Sequence, residues 1–205
     1  MQLAKFFDNA ADTWDEKVLH DPAKIRDLLK KVPVRPGQKV LDVGTGTGVL
    51  IPFILRQIGG AGALVAVDIS PRMIEKARQK CRDPRISFLV ADIEGEIEDP
   101  LLPESFDIIF CYSVFPHFSK PERALKNMHA LLSPGGRLVV MHSDSREVIN
   151  ERHRRIGGEV GGHELPAVEQ LQELGRGIGF LPLAAEESEE HYLMCFEKSS
   201  ESTFL

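Results

Sequence analysis

Apolar runs and amphipathic stretches alternate through the middle of the chain. "KVLDV" (39–43), "ALVAVDI" (63–69), "RISFLVAD" (85–92), "FDIIFCYSV" (106–114) and "RLVVMHS" (137–143) are rich in Val, Ile and Phe. Several are apolar on both faces, as central strands of a parallel sheet must be. Between them, 49–58, 71–81 and 121–132 carry helical spacing. Ser70 precedes Pro71, and Ser119 stands two residues before Pro121, so both starts offer a capping hydroxyl and a first-turn proline. "SPGG" (133–136) stops the helix over 121–132 and leads at once into a strand. A further helix over 166–178 and strands near 180–185 and 191–198 complete the pattern. Strand and helix alternating in this way predict a doubly wound α/β sheet with its ligands at the C-terminal ends of the strands.

Two segments fall outside the alternation. Residues 1–31 read as one or two amphipathic helices, with Phe6, Phe7, Trp14, Leu19, Ile25, Leu28 and Leu29 as their apolar positions. Residues 144–165 are polar, charged and dotted with glycine, and read as a lid. Residues 199–205, "SSESTFL", read as a frayed tail. At 205 residues and 42% hydrophobic, the chain is expected to form a single domain over 1–205. A formal net charge of -6 offers no basic footprint, which argues against a nucleic-acid partner. Cys81, Cys111 and Cys195 are far apart and unpaired in spacing, which fits buried thiols in a reducing compartment. Acidic residues stand where a signal peptide needs an apolar core, and no run reaches the length of a membrane span. The expectation is a cytoplasmic protein with no stable membrane anchor, monomeric or homodimeric.

The chemistry concentrates at "VLDVGTGTGVL" (40–50). Gly44, Gly46 and Gly48 follow the first strand, but Val49 occupies the place of the last glycine of a dinucleotide fingerprint, and the loop has no lysine for a phosphate-binding loop of the Walker type. Asp68 and Asp92 end the second and third strands, where a carboxylate can accept hydrogen bonds from a ribose diol. Asp107 enters the fourth strand. Two acids at successive strand ends beside a glycine loop make a site.

These residues resemble the class I S-adenosylmethionine-dependent methyltransferases. "VLDVGTGTG" is similar to that family's first motif, "VAVDIS" to its second, "ADIE" to its third, "FDIIFCYSVFPHF" to its fourth and "LLSPGGRLVV" to the strand that follows. The match runs in order from about Phe6 to Val140. It is nearest in flavour to the small-molecule branch of ubiquinone and menaquinone biosynthesis. The resemblance implies a Rossmann-like sheet of seven strands, mostly parallel with an antiparallel last strand, and helices on both faces. It implies S-adenosyl-L-methionine as cofactor. Gly44, Thr45 and Gly46 would lie against its methionine moiety, with Asp42 beneath helping to hold the amino group. Asp68 would take the ribose hydroxyls, Ile69 and Met73 would flank the adenine, and Asp92 and Ile93 would meet its edge. Cys111 and Ser113 would line the sulfonium end. The implied activity is methyl transfer to a small-molecule acceptor.

Transfer from an activated sulfonium needs mainly orientation, and a base only where the acceptor keeps its proton at neutral pH. His117 follows the fourth strand over the site, with Phe115 and Phe118 beside it to shape an aromatic pocket. If Asp144 caps a helix with Glu147 three residues on, then Arg146, Asn150 and His153 share one face. The expected acceptor wall is therefore Trp14, Phe115, His142, Arg146 and Asn150, with His117 and His153 as candidate bases. Gly157, Gly158, Gly161 and Gly162 would let the segment move. The spacings of His142, His153 and His163 match no compact metal-ligand pair, so no metal is expected. Two alternatives stay open: a non-catalytic sensor or scaffold that binds the same cofactor, and a protein methyltransferase. "YSVFPHF" departs from the Asn/Asp-Pro-Pro-aromatic box of nucleobase amine methyltransferases.

Overall fold

The computed structural model describes residues 2–200. Seven strands form one sheet: β1 (Lys39–Val43), β2 (Ala63–Asp68), β3 (Ile86–Val90), β4 (Phe106–Tyr112), β5 (Leu132–His142), β6 (Phe180–Glu187) and β7 (Tyr192–Lys198). Their order is β3-β2-β1-β4-β5-β7-β6. β1 to β5 are parallel, and β7 inserts between β5 and β6 antiparallel to both. The order reverses at β1, which pairs with β2 on one side and β4 on the other. A doubly wound sheet opens its ligand crevice at such a reversal.

The helices are α1 (Gln2–Ala10), α2 (Trp14–Lys17), α3 (Pro22–Lys31), α4 (Ile51–Ile58), α5 (Pro71–Lys80), α6 (Pro121–Leu131), α7 (Arg146–Ile156) and α8 (Val168–Ile178). Side chains alternate across each strand, so the sheet feeds two cores. Leu41, Val43, Ile109, Cys111, Leu138 and Val140 pack with α6 and α8. Val40, Ile108, Phe110, Val139 and Met141 pack with α3 and α4.

Several boundaries differ from the sequence expectation, each for a local reason. α4 starts at Ile51 rather than 49, because Gly48 and the turn around it still belong to the loop. β3 stops at Val90, which leaves Asp92 two residues beyond it. β5 starts at Leu132 and runs through "SPGG", with a register irregularity against β4 at Phe106/Ile108. Ser119 does not cap α6. Lys120 occupies the cap position without a side-chain bond, and the Glu94 carboxylate accepts from the Ser119 amide at 3.2 Å and from the Lys120 amide. Asp107 sits at the opposite end of the sheet, where Oδ2 accepts from the Lys39 amide at 2.7 Å. α7 is capped by Ser145, not Asp144: Ser145 Oγ accepts from the Val148 amide, and Asp144 pairs with Arg152. Ser70 caps α5 as the spacing predicts, Oγ accepting from the Met73 amide at 3.1 Å. Of the tail expected to fray, residues 201–205 lie outside the described residues.

Candidate active site

A cavity of about 610 Å³ opens over the C-terminal ends of β1, β2 and β4, beneath α1, α2 and α7. Its floor is the loop after β1. All three glycines there have positive φ, but they answer to different demands. A Cβ on Gly44 would lie 2.2 Å from Val114, and one on Gly48 2.9 Å from Ile51, so packing excludes side chains at both. A Cβ on Gly46 (φ +55°) would meet, beyond its chain neighbours and among the described residues, only Trp14 Nε1 at 4.0 Å, so the missing side chain leaves space on the cavity side.

Three amides of this loop are already engaged. Thr45 donates to the Val67 carbonyl, Gly48 to the Thr45 carbonyl, and Gly46 to Asp68 Oδ2 at 2.9 Å. Asp68 Oδ1 accepts from the Ser70 amide at 2.9 Å. A phosphate would meet two carboxylates here, Asp68 and, directly beneath, Asp42, which accepts from Thr45 Oγ1 at 2.6 Å. Burial pushes Asp42 up to about 7, with the Thr45 bond pulling the other way and neighbouring Asp68 adding to the rise. Burial likewise raises Asp68 against its two amide bonds. Ionised acids short of solvation favour a cationic ligand over an anionic one. Asp68, Ile69, Met73, Asp92, Ile93 and Glu94 continue this acidic and apolar wall. A zwitterionic amino acid joined to a nucleoside fits such a floor, whereas a pyrophosphate does not.

The opposite end is made of aromatic and imidazole rings. Phe7, Trp14, Tyr112, His117, Phe118, His142 and His153 line it together with His20. Phe7 stands edge-on to Trp14 (5.6 Å) and to His117 (5.2 Å). His117 Nδ1 is 2.9 Å from His163 Nδ1, and the His117 and His153 rings are 4.9 Å apart. Burial and the neighbouring histidines hold His117 well below its ordinary value, and the same causes bring His142 down to about 3. His153 and His20 are lowered too, chiefly by burial. The wall is therefore made of neutral imidazoles at pH 7. His142 Nε2 is buried without a partner among the described residues. Ser113, at the end of β4, holds φ +55°, a left-handed backbone rare outside glycine, fixed by its amide bond to the Met141 carbonyl. Among the described residues no group of three or more His, Cys, Asp or Glu is arranged to hold a metal ion.

Of the residues singled out in the sequence, Gly44, Thr45, Gly46, Asp68, Ile69, Met73, Asp92, Ile93, Trp14, His117, His142 and His153 all border this cavity, and Asp42 supports it from below. Four do not reach it. Cys111 alternates onto the face under α6, fully buried with Sγ 3.4 Å from Met128 Sδ, and Tyr112 and Ser113 take its expected place. Phe115 turns into the core as a 3-10 turn (Phe115–His117) reverses the chain, which leaves His117 and Phe118 facing the cavity. Arg146 points away to pair with Glu187 at 2.7 Å, and Asn150 makes reciprocal bonds to the Leu165 backbone at 2.7 and 3.1 Å. On α7, Ile149, Arg152, His153 and Ile156 form the cavity face instead. Sequence reasoning also missed the chain of contacts from His20 Nδ1 to Tyr112 Oη (2.8 Å) and on to Ser143 Oγ (2.8 Å). A lone histidine between two short helices gives no periodic signal of its destination.

Known proteins agree with this geometry. Residues 40–136 match the family described as methyltransferase domain. The ubiquinone biosynthesis O-methyltransferase of Coxiella burnetii is 34% identical over 146 residues, covering 67% of this chain and 59% of that protein. The ubiquinone/menaquinone biosynthesis C-methyltransferase of Vibrio vulnificus is 37% identical over 148 residues, covering 68% and 56%. The chain thus spans less than two thirds of the length of these relatives. A SAM-dependent methyltransferase from Aquifex aeolicus superposes with a TM-score of 0.69 at 19% identity, covering 96% of this chain and 97% of that one. Phosphoethanolamine N-methyltransferase 2 of Haemonchus contortus, solved in complex with S-adenosyl-L-methionine, superposes with a TM-score of 0.70 at 18% identity, covering 87% and 53%. At those identities the structural likeness is one of fold. Motif order, sheet topology and an acid-floored cavity at the strand reversal converge with the sequence matches: the chain belongs to the class I S-adenosylmethionine-dependent methyltransferases.

Proposed function

We propose that the chain transfers the methyl group of S-adenosylmethionine to a small acceptor with a largely apolar body and a hydroxyl or comparably acidic proton. The observation that carries this reading is one continuous cavity with an acidic floor at Gly46 and Asp68 and a wall of imidazoles, His117, His142 and His153, at the far end. The cofactor, when bound, supplies a methyl group already activated by a sulfonium. The backbone at Gly44, Thr45 and Gly46 accommodates its amino-acid end, with Asp42 fixing the loop through Thr45. Asp68 has lone pairs left for a diol, Ile69 and Met73 pack the flat ring, and Asp92 and Ile93 meet the ring edge.

At the other end, Trp14, Phe7 and Phe118 press an acceptor ring toward the floor, beside the His142 ring. Holding donor and acceptor in line is worth up to ~7–11 kcal/mol, so most of the rate comes from orientation. His117 removes the acceptor proton, with His153 beside it, and a well-placed base adds about 10²–10⁴-fold. Both relatives act in quinone biosynthesis by name, one on oxygen and one on carbon, which supports a phenol or quinol-like acceptor.

Calorimetry with S-adenosylhomocysteine tests the floor: binding is expected for the wild type and lost in Asp68→Ala, and a folded wild type that fails to bind at high micromolar ligand overturns the reading. Transfer of labelled methyl to a panel of catechols and hydroxyquinones then tests the acceptor class.

A further inference from the structure

Two cavity histidines are held by one residue outside the cavity wall. His163 stands in the segment between α7 and α8, and it reaches both. Its carbonyl oxygen is 2.7 Å from His153 Nδ1, and its own Nδ1 is 2.9 Å from His117 Nδ1. A carbonyl only accepts, so neutral His153 must carry its proton on Nδ1 and leave Nε2 as the bare lone pair. For His117, either ring can donate in the Nδ1 pair, but in both cases Nδ1 is engaged. Neither Nε2 has a hydrogen-bond partner among the described residues, and neither is among the polar atoms buried without one. Both therefore open onto the cavity space.

We propose that His163 is the positioning residue of the site: by engaging Nδ1 of His117 through its ring and Nδ1 of His153 through its main chain, it presents Nε2 of both imidazoles to the acceptor. This inference rests on the reading of His117 as the base. With His117 Nδ1–H donating to His163, its Nε2 is the bare lone pair, and when the acceptor's X–H bond breaks and the proton bonds to that Nε2 the ring becomes an imidazolium with donors on both nitrogens. The lone pair of His163 Nδ1, facing His117, then accepts from the cation, a role a carboxylate fills in other acid–base pairs. The groups around His117 make that acceptor necessary. His153 from α7, His142 from β5, the Phe7 ring from α1 and His163 itself surround it, and none of these is an acid. The proton leaves to water once the product departs.

The scaffold behind His163 explains why Asn150 is buried yet absent from the cavity. Its side-chain amide clamps Leu165 from both sides, with Oδ1 accepting from the Leu165 amide and Nδ2 donating to its carbonyl. That clamp ties the segment carrying His163 to the same helix that carries His153, three residues apart on α7.

The test follows the ring nitrogens of ¹⁵N-histidine-labelled, ligand-free protein by NMR across a pH titration. Wild type should show His153 protonated on Nδ1 alone and a hydrogen-bonded, slowly exchanging Nδ1 proton shared between His117 and His163. His163→Phe should free His117 Nδ1, giving the mixed tautomers of an unconstrained imidazole, while His153 keeps its state because residue 163 keeps its carbonyl. His163→Asn, whose side-chain amide reaches the place of Nδ1, should restore the His117 pattern. The proposal is overturned if His117 gives the same nitrogen shifts in wild type and in folded His163→Phe, or if His153 carries its proton on Nε2. The underlying acid–base reading fails by a different measurement: His117→Phe transferring labelled methyl to catechol at the wild-type rate.

Discussion

Two covers close the same cavity and are built on opposite principles. The N-terminal cover, α1 and α2, turns Leu3, Phe6, Phe7, Ala10 and Trp14 toward the cavity, and no side chain of either helix is fully buried. Its outer edge is held by charge. Asp8 accepts from Ser70 Oγ at 2.6 Å, Asp12 pairs with Arg72 and Lys76 at 2.7 Å, and Asp15 pairs with Lys80. Carboxylates near one-turn spacing on the cover meet bases at matching spacing on α5, all of them partly exposed. The second cover, α7 with the segment to Leu165, is rooted in the interior. Ile149, Asn150, His153, Val160 and Leu165 are buried, and Asn150 and Arg146 tie it inward. Exposed ion pairs contribute little and weaken with salt, whereas a buried amide left without partners is costly. The first cover thus depends on what fills the cavity, and the second on the fold itself.

Acid should separate the two most sharply. The folded protein keeps His142 at about 3 and holds His117, His153 and His20 low, while the unfolded chain takes up protons at an ordinary histidine value of 6.5. Stability therefore falls as pH drops through about 6.5, by about 1.4 kcal/mol per pH unit for each imidazole that stays neutral. Asp42 and Asp68 work in the opposite sense, because a raised carboxyl adds stability as pH falls toward its unfolded value, but the histidines outnumber them. Asp12 and Asp15 are lowered by their lysines and Arg72, against burial in the case of Asp15, so the charge latch holds until pH falls below about 4. Denaturant midpoints between pH 7.5 and 4.5, with hydrogen exchange over 2–17 and 146–165, should show the second cover loosening first. A protein more stable at pH 5 than at pH 7 would break the contrast.

Asn150→Ala comes next. It strands the amide and carbonyl of Leu165 in the interior and should cost about 1–3 kcal/mol in equilibrium unfolding. A smaller loss than about 0.5 kcal/mol would mean the second cover is not rooted as described. Replacing Asp8, Asp12 and Asp15 together by Asn should leave the denaturant midpoint nearly unchanged while S-adenosylhomocysteine dissociates roughly two- to tenfold faster in stopped flow. Added salt at 0.5 M should reproduce that effect in the wild type and add nothing to the variant. Arg154→Ala, which removes exposed pairs with Glu151 and Glu164, should change neither midpoint nor dissociation measurably.

The same contrast explains what the sequence could convey. The floor was legible because its demands are local: three glycines, Asp42 and Asp68 lie within short stretches whose strand-loop-helix pattern fixes their positions. α7 was legible as a helix but not in its rotation. Spacing groups Arg146, Asn150 and His153 on one stripe, but neighbouring residues stand about 100° apart and nothing local says which stripe faces the cavity. Tertiary packing turns Ile149, Arg152 and His153 inward to it, while Arg146 and Asn150 bond to Glu187 and Leu165. Cys111 went astray through strand alternation, where one residue decides the face. His20 and His163 reach the site through tertiary contacts that no spacing encodes.

One bond described above sets a constraint of its own. Gly46 N–H and Ser70 N–H grip the two oxygens of Asp68 from opposite loops, so the carboxylate joins the turn after β1 to the turn after β2. Position 68 is consequently gauged for length as well as charge. Glutamate would bring the same chemistry one methylene too far, and either the glycine turn rises into the cavity or the bond to Ser70 parts. A change that looks conservative in an alignment column would here act as a shim under the floor.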